Sequence, residues 1–334
     1  QKLKEIKHKV DHNSERTMSS EHEALFASIS VNSNYTIKNI LEIGTFDGVH
    51  IGHKKIINRL VNIAKQEGLQ AVVLTFFPHP RMVVQSDPKI KMLNTIDEKN
   101  KLLEQQGIDH LVIKKFTKDF SRLSAQEYVR KVLVETLHVK HIIIGYDHHF
   151  GRNRTANIHD LKAFGEIYDF KVTEILAQEI DEVTISSTKI RQALNSGDVK
   201  TANTFLGEPF LFNGTVVEGS ALGRELGYPT ANIDVESGIK LIPGNGVYAV
   251  IVEVDGVLHE GMMNIGVRPT IENETTAKIE VHLFDFNSNL YGKSLTLQLL
   301  SRSRDEIKFN SLDELKNQLK KDEEIIRAFF SNRS

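Results

Sequence analysis

The sequence contains no cysteine among its 334 residues. This absence excludes disulfides, thiolate metal ligands and a cysteine nucleophile. It also agrees with a cytoplasmic location, which we expect for a chain that makes no use of disulfides.

The chain also has little net charge and no long apolar run. Its 42 basic and 44 acidic residues leave a formal charge of −2, so no general positive field attracts nucleic acid or an anionic membrane. No apolar stretch approaches the roughly 18 residues that a membrane-spanning helix needs. We therefore expect small-molecule partners and neither nucleic acid nor membrane, while the sequence specifies no oligomeric state.

The length of the chain indicates two domains, each able to bury its own core. Residues 1–36 are polar and mixed in charge, and we expect them to form a weakly ordered tail. The rhythm of the apolar runs changes near Leu206–Pro209. We therefore predict one domain over residues 37–206 and a second over residues 207–334.

Apolar runs alternate with helical patterns in the first domain. Such alternation predicts βαβ units and a doubly wound, Rossmann-like α/β module with a parallel sheet. The predicted strands are 40–43, 71–77, 110–114, 141–145 and 170–176. The predicted helices are 52–66, 96–106, 124–137, 158–168 and 188–196, with a short helical stretch up to residue 205.

Short strands separated by turn residues follow in the second domain. This pattern predicts an antiparallel β-barrel or sandwich, and Asp255-Gly256 is a strong hairpin signal. The predicted strands are 210–218, 246–254, 257–264, 278–283 and 294–300. One clear helix, over residues 312–330, ends the pattern, and its apolar spacing predicts that it packs on the barrel.

The segment Gly44–His53 joins the first predicted strand to the first helix. Ligands of open α/β sheets lie at the carboxyl ends of the strands, and a glycine loop before a helix N-terminus suits a phosphate. His50 and His53 are three residues apart and can project from one side of the first turn, where imidazole donors suit charge that develops on phosphorus. A metal pair and two histidines without a role are the alternatives. The predicted phosphate-binding residues of this segment are Gly44, Thr45, Phe46, Asp47, Gly48 and Gly52.

Two signatures resemble those of nucleotidylyltransferases. His50–His53 matches His-x-Gly-His, and Ile185–Arg191 resembles the second signature. There, Ser187 and Thr188 are expected to begin a helix as N-cap-type residues whose hydroxyl and N–H groups face a triphosphate. Ser186 is expected to join them. Arg191, one turn later, can reach the same phosphates as a planar fork.

With Phe76–Pro80 and Gly145–Gly151, the first domain resembles the adenylyltransferase half of bacterial FAD synthetases. The resemblance implies that Asp147 faces the adenosine or flavin side of the cleft, and we expect Asp147 and His79 to bind flavin. Thr45 stands where members of this family usually carry Asn, and His148-His149-Phe150-Gly151 stands where they carry Phe-x-Phe-Gly. These departures leave open whether His148 and His149 lie in an exposed loop.

A second set of motifs lies in the barrel domain. Gly223–Asn232 contains two glycines, Gly223 and Gly227, that suit a loop covering phosphates. Thr230 and Asn232 are neutral oxygen ligands on one face of an extended stretch, able to hold Mg²⁺ and an ATP phosphate. Taken alone, Pro-Thr-Ala-Asn is also ordinary turn chemistry.

The order and spacing of the barrel motifs resemble riboflavin kinase. The matching segments are Gly223–Asn232, Asn264–Thr270, Glu280–Phe286, Leu290–Gly292 and Arg304–Phe309. The resemblance implies that Thr230 and Asn232 bind Mg-ATP and that Glu280 takes the proton from the ribityl hydroxyl of riboflavin. It further implies that Arg224 contacts phosphate and that Arg304 contacts flavin.

Together, the two resemblances imply an enzyme that uses ATP and Mg²⁺ to convert riboflavin to FMN and FMN to FAD. The expected catalytic residues are His50, His53 and Arg191 in the first reaction centre and Glu280 in the second. Two alternatives stay open, namely an enzyme in which only the kinase half is active and a flavin-binding regulator with silent nucleotide sites.

Overall fold

The structure is a computed structural model that describes residues 38–85, 90–145, 148–176, 185–219, 222–235, 238–269 and 275–333. The predicted tail 1–36 and Asp147 lie outside these ranges. The contacts divide the chain into two compact units. The first unit takes its described residues from Gln1–Phe46, His53–Ile90 and Asn100–Glu182, and the second unit takes them from Asp47–Gly52, Lys91–Lys99 and Val183–Ser334.

A five-stranded parallel sheet forms the centre of the first unit. Its strands are β1 Asn39–Ile43, β2 Gln70–Phe77, β3 His110–Lys115, β4 His141–Gly145 and β5 Lys171–Ile175. Their order is β3-β2-β1-β4-β5, and every neighbouring pair is parallel. All five residues of β1 are buried, as expected for a strand covered on both faces. The predicted doubly wound module is confirmed.

The helices of this part of the chain are Ile51–Glu67, Pro80–Val84, Ile96–Gln105, Ala125–Tyr128 and Ile158–Tyr168, with short 3₁₀ turns at Phe120–Arg122 and Arg152–Arg154. The single helix predicted over 124–137 changes at Val129 into a π-helical turn, Val129–Val134. Three β-branched valines within these six residues weaken the α-helical preference. Ser124 and Glu127 form a capping box at the start of this helix.

A closed antiparallel barrel forms the second unit. Its strands are β6 Phe210–Val217, β7 Ala231–Asp234, β8 Gly246–Val254, β9 Val257–Pro269, β10 Thr275–Leu283 and β11 Ser294–Arg304. The order around the barrel is β10-β7-β6-β11-β8-β9. The predicted hairpin between β8 and β9 is confirmed, with positive φ at Asp255 (51°) and Gly256 (81°). The four-residue strand β7 and the one-turn helix Leu222–Glu225 were not predicted as elements, because neither is long enough to show a period.

The helices Ser187–Asn195 and Val199–Leu206 belong to the second unit. Their apolar residues Ile190, Leu194 and Leu206 lie in the same hydrophobic core as the barrel residues Phe212 and Val250. The sequence pattern favours the α/β module for both helices because they continue its rhythm of strands and helices. Periodicity shows which face of a helix is apolar, but it does not show which core receives that face.

The last helix, Leu312–Ser331, begins at the N-cap Ser311. Ile326 and Phe330 pack in a core cluster with Val247 and Met262 of the barrel, so the predicted docking of this helix is confirmed. Leu312, predicted on the same face, is 55% exposed because it lies in the first turn, ahead of the packed region.

Candidate active sites

The loop after β1 has a strained backbone. Phe46 and Val49 have positive φ (45° and 41°), as does Gly48 (93°). Such conformations cost non-glycine residues of order 1–3 kcal/mol each and concentrate at functional sites. A Cβ at Gly44 would lie 2.9 Å from Phe46 Cε2, so the glycine allows the Phe46 ring to fold over the backbone. The predicted phosphate loop thus has the close packing and the strain of a binding loop.

The same loop is held by hydrogen bonds in the first unit and by close packing in the second. In the first unit, Gly44 N donates to Leu74 O at 3.1 Å, and Thr75 Oγ1 donates to Thr45 O at 3.2 Å. In the second unit, a Cβ at Gly48 would lie only 2.7 Å from Leu93 Cδ1. The loop therefore leaves room for no side chain at either glycine.

His50 and His53 occupy different environments. His50 is buried, and burial lowers its pKa to about 4, against the weaker opposing effect of the Asp47 carboxylate. It is therefore neutral near pH 7 and can act as a donor of one N–H but not as a cation. His53 lies on the first turn of the helix Ile51–Glu67, two residues after Ile51 and next to Gly52, and its ring contacts the ring of Phe46 at 5.2 Å.

The helix of the second signature has its N-cap one residue earlier than predicted. Ser186, and neither Ser187 nor Thr188, is the N-cap of the helix Ser187–Asn195, and its side chain accepts from Lys189 N. Ser187 Oγ instead donates to Asp47 O at 2.8 Å. Thr188 is exposed in the first turn. The correction follows from geometry, because the cap residue needs an extended backbone and Ser186 has it (φ −152°, ψ 154°).

Arg191 and Asp47 form an ion pair through Nη2 and Oδ2. Asp47 was predicted among the phosphate-binding residues, and its carboxylate contacts donors of the protein. Because the two residues are 144 positions apart in the chain, the sequence alone did not predict this contact.

An aromatic cluster lies near the carboxyl ends of β2 and β3 in the first unit. Phe76, Phe116 and Phe120 contact one another at ring-centroid distances of 5.4–5.8 Å, and Tyr128 and Phe150 extend the series. Sequence motifs did not predict Phe116, Phe120 and Tyr128. The usable signal was the position of Phe116 directly after β3 and of Phe120 in the turn that follows, at the edge of the sheet where ligands bind.

Among the described residues around this edge, His79 was expected on the flavin side, and the exposure of His148 was left open. His148 contacts Phe150 at 6.3 Å between ring centroids. His79 is the N-cap of the helix Pro80–Val84, where its Nδ1 accepts from Arg81 N. Burial lowers the pKa of Lys114, whose Nζ lies 6.0 Å from the centre of the Phe120 ring. Asp147, which was also expected on the flavin side, lies outside the described residues.

The barrel brings the predicted base and a predicted metal ligand together. Glu280 of β10 is the direct antiparallel partner of Asn232 in β7, so the two side chains lie on one face with Cβ atoms roughly 5 Å apart. Lys278 Nζ lies 2.9 Å from Glu280 Oε1. The register therefore joins two motifs that are 48 residues apart in the sequence.

Two glycines lie against the predicted phosphate-binding segment. A Cβ at Gly219 would come within 1.9 Å of Asn232 Nδ2, and one at Gly223 would lie 3.3 Å from Thr230 Oγ1. Gly227 has a positive φ of 86°, and Arg224 is exposed on the one-turn helix. The backbone thus approaches the side chains of Thr230 and Asn232 as closely as glycine permits.

His282 supports the same segment, a role that the sequence analysis did not assign. Its Nδ1 donates to Pro229 O at 2.8 Å, and its ring contacts the rings of Tyr228 and Phe284. Its position two residues after Glu280 was the available signal, because residues i and i+2 share a face of a strand.

Arg304 is held by the C-terminal helix. Its Nε and Nη2 donate to the two carboxylate oxygens of the fully buried Asp322, at 2.8 and 2.6 Å, and Nη1 donates to Asp305 O. The bidentate pair fixes the guanidinium plane. The flavin contact expected of Arg304 stays a prediction.

Among the residues that the structure describes, no helix is long and apolar enough to cross a membrane. Within the same residues, no group of three or more His, Asp or Glu side chains forms a metal cluster.

Comparisons with known proteins assign each part of the chain. A family model described as FAD synthetase matches residues 32–189, and one described as Riboflavin kinase matches residues 206–330. A Listeria monocytogenes protein named Bifunctional riboflavin kinase/FMN adenylyltransferase is 40% identical over 296 residues, which are 88% of this chain and 93% of that protein. The Bacillus subtilis protein of the same name is 37% identical over 300 residues, 88% of this chain and 93% of its own length.

A solved structure from Streptococcus pneumoniae named Macrolide-efflux Protein superposes with a TM-score of 0.80. It is 33% identical, and the match covers 89% of this chain and 96% of that one.

Proposed function

Because the chain belongs to the family of bifunctional riboflavin kinases/FMN adenylyltransferases, we propose that it phosphorylates riboflavin to FMN and then adenylylates FMN to FAD, with ATP as the second substrate of both reactions. The observation that carries the proposal is the register of β7 and β10, which sets Glu280 opposite Asn232. We assign the kinase reaction to residues 207–334 and the adenylyl transfer to residues 37–206, in a cytoplasmic enzyme.

In the kinase reaction, Glu280 accepts the proton of the ribityl 5′-hydroxyl as its oxygen attacks the γ-phosphorus of ATP. The bond between this phosphorus and the β–γ bridging oxygen breaks, and ADP leaves. The chemistry needs little from the protein beyond positioning and neutralisation of charge. The glycines beside Thr230 and Asn232 support this role because they let the backbone pack closely against these side chains and so fix their positions.

Thr230 and Asn232 would hold Mg²⁺. The fit rests on their donor atoms, a hydroxyl and an amide oxygen, which are the hard oxygen ligands that Mg²⁺ prefers. When bound, the ion neutralises the charge of the ATP phosphates. The described residues contain no cluster of three or more acidic or histidine side chains, in keeping with a metal that shares its coordination with substrate phosphates and water.

In the adenylyl transfer, an oxygen of the FMN phosphate attacks the α-phosphorus of ATP, and the bond to the bridging oxygen of the leaving diphosphate breaks. The nucleophile is already an anion and needs no general base. His50, His53 and Arg191 instead stabilise the charge that develops on the phosphoryl oxygens. His50 suits this task as a neutral donor, and Ser186, Ser187 and Thr188 place the N-terminus of their helix beside the phosphates.

Two matched variants test both reactions in one chain. His53→Ala should block formation of FAD while FMN still accumulates from riboflavin, with a loss of roughly 10²–10³-fold. Glu280→Gln should stop phosphorylation of riboflavin by roughly 10²–10⁴-fold while supplied FMN still becomes FAD. Chromatography separates riboflavin, FMN and FAD.

The exposed residues His159 and Glu253 offer control substitutions of the same types. His159→Ala and Glu253→Gln should leave both products unchanged. If the wild-type chain made FMN but no FAD, the result would show that only the kinase half is active. A chain that binds flavin and turns over neither substrate would be a regulator, and the proposal would fail.

A further inference from the structure

Asp47 is a carboxylate buried inside the loop that was expected to bind phosphate. Its side chain is almost completely inaccessible to solvent. Oδ1 accepts from Leu93 N at 3.0 Å, and Oδ2 lies 3.2 Å from the same nitrogen. Oδ1 also accepts from Asn94 N at 3.4 Å. Two backbone N–H groups of one segment therefore hold the carboxylate in a single orientation.

The remaining contacts of Asp47 lead to the second nucleotidylyltransferase signature. Its Oδ2 accepts from Arg191 Nη2, and its backbone carbonyl accepts from Ser187 Oγ at 2.8 Å. Arg191 Nε donates in turn to Lys91 O at 2.8 Å. The guanidinium is thus held at two points, one on the loop and one on the segment Lys91–Lys99, and all of these groups belong to the second unit.

The surroundings of Asp47 are rich in buried cationic groups. Burial lowers the pKa of Lys99 and of Lys240. At Lys240 the main opposing effect comes from Glu98, and the Asp47 carboxylate opposes the effect of burial at both lysines. It acts in the same direction on His50. The carboxylate is therefore a central negative charge of this part of the second unit.

We infer that Asp47 is a positioning residue for adenylyl transfer, which orients the Arg191 guanidinium and does not contact the phosphates of ATP. The inference rests on the proposed role of Arg191. A carboxylate repels a triphosphate, and this one has donors of the protein on both oxygens. A planar fork that is fixed before the substrate binds can meet a phosphate without losing side-chain freedom, and a misplacement of about 1 Å is enough to cost 10²-fold in rate.

The test is a double-mutant cycle of wild type, Asp47→Asn, Arg191→Met and the double variant. The asparagine keeps an oxygen for Leu93 N but removes the charge that holds Arg191. We expect Asp47→Asn to lower kcat for FAD formation from FMN roughly 10²-fold, with a smaller change in KM for ATP. In the Arg191→Met background, the same substitution should cause no further loss, because residues that act through one contact are not additive.

Phosphorylation of riboflavin by the same samples reports whether each variant is folded, and Asp97→Asn, an exposed carboxylate of the same segment, is the matched control. Equal losses from Asp47→Asn in both backgrounds would overturn the inference, since Asp47 would then act independently of Arg191. If Asp47→Asn lost kinase activity as well, a comparison of Arg191→Met with the double variant would decide the question. A double variant that formed FAD more slowly than Arg191→Met would overturn the inference.

Titration with magnesium pyrophosphate, a product of adenylyl transfer alone, separates the inference from the proposed function. Asp47→Asn should weaken pyrophosphate binding only where Arg191 is present. Tighter binding in both backgrounds would show that the carboxylate faces the phosphates and would overturn the inference. A wild-type chain that binds pyrophosphate but forms no FAD would contradict the proposed function, and the titration would still decide the role of Asp47.

Discussion

Replacing Glu98 by alanine should destabilise the second unit, because the change leaves Lys240 buried without its counterion. Both side chains are inaccessible to solvent, at 1% for Glu98 and 0% for Lys240. The ammonium group donates to Glu98 Oε2, to Leu93 O and to Leu211 O, the last two at 2.7 Å. It also lies 4.6 Å from the centre of the Phe210 ring. All three of its N–H groups therefore have acceptors, and only one acceptor carries a charge.

The size of the effect follows from this geometry. Burial lowers the pKa of Lys240, while the Coulombic attraction and hydrogen bond of Glu98 raise it. Removal of one partner of such a buried pair costs about 3–5 kcal/mol. Glu98 also accepts from Asn213 N at 3.2 Å and from Thr95 N at 2.9 Å, and both backbone donors lose this acceptor in Glu98→Ala. At about 2–4 °C per kcal/mol, the unfolding midpoint of this unit should fall by roughly 6–20 °C.

Thermal unfolding followed by circular dichroism measures this shift. Glu104→Ala, an exposed glutamate of the same helix, should move the midpoint little. The double variant Glu98→Gln/Lys240→Met should recover most of the loss, because it removes both charges and keeps an oxygen for the backbone donors. A midpoint that fell as far in the double variant as in Glu98→Ala would refute the reasoning, since the uncompensated ammonium would not be the cause.

Two further predictions concern His50 and the extent of the second unit. Because burial lowers the pKa of His50 to about 4, the unfolded chain binds a proton at about pH 6.5 before the folded chain does. The free energy of unfolding should therefore fall by up to about 3 kcal/mol as the pH drops from 6.5 to 4. Urea titrations at several pH values measure this dependence, and His50→Asn should weaken it. If the variant and the wild type showed the same dependence on pH, His50 would be excluded as its source. Residues 183–334 expressed alone should unfold at a higher temperature than residues 207–334, because the shorter fragment loses Ile190, Leu194 and Leu206 from the barrel core. Equal midpoints would mean that the helix Ser187–Asn195 contributes nothing to that core, and FMN formation by each fragment would report the integrity of its kinase site.

Most of the fold could be predicted from the pattern of apolar residues. Buried parallel strands such as β1 and β4 are short continuous apolar runs between helical segments, which is a strong signal. Strand β7 escaped prediction because its four residues are too few for a period and follow a proline. The destination of the helix Ser187–Asn195 also escaped prediction, since the choice between two cores depends on contacts distant in sequence.

The candidate sites show the same difference between local motifs, which could be predicted, and distant contacts, which could not. Motifs predicted His50, His53, Asn232 and Glu280, because each motif is local. What could not be predicted are the partners of these residues. Arg191 meets Asp47 across 144 residues, and a contact of this separation leaves no periodic trace in a single sequence. The exposure of Thr188 and the capping role of Ser186 depend in turn on one backbone dihedral pair.

The core that the helices Ser187–Asn195 and Val199–Leu206 share with the barrel also limits how this chain can be recombined with its relatives. The two family models separate between residues 189 and 206, and a chimaera joined there would combine the helix faces of one parent with the barrel interior of another. At about 40% identity, many of these interior side chains differ in volume, and mismatched packing commonly costs 1–3 kcal/mol for each misfit. A crossover before residue 183 would keep the helices with their own barrel, but it would transfer the second nucleotidylyltransferase signature together with the kinase. Exchange of the kinase between relatives would therefore also exchange part of the site that we propose for adenylyl transfer.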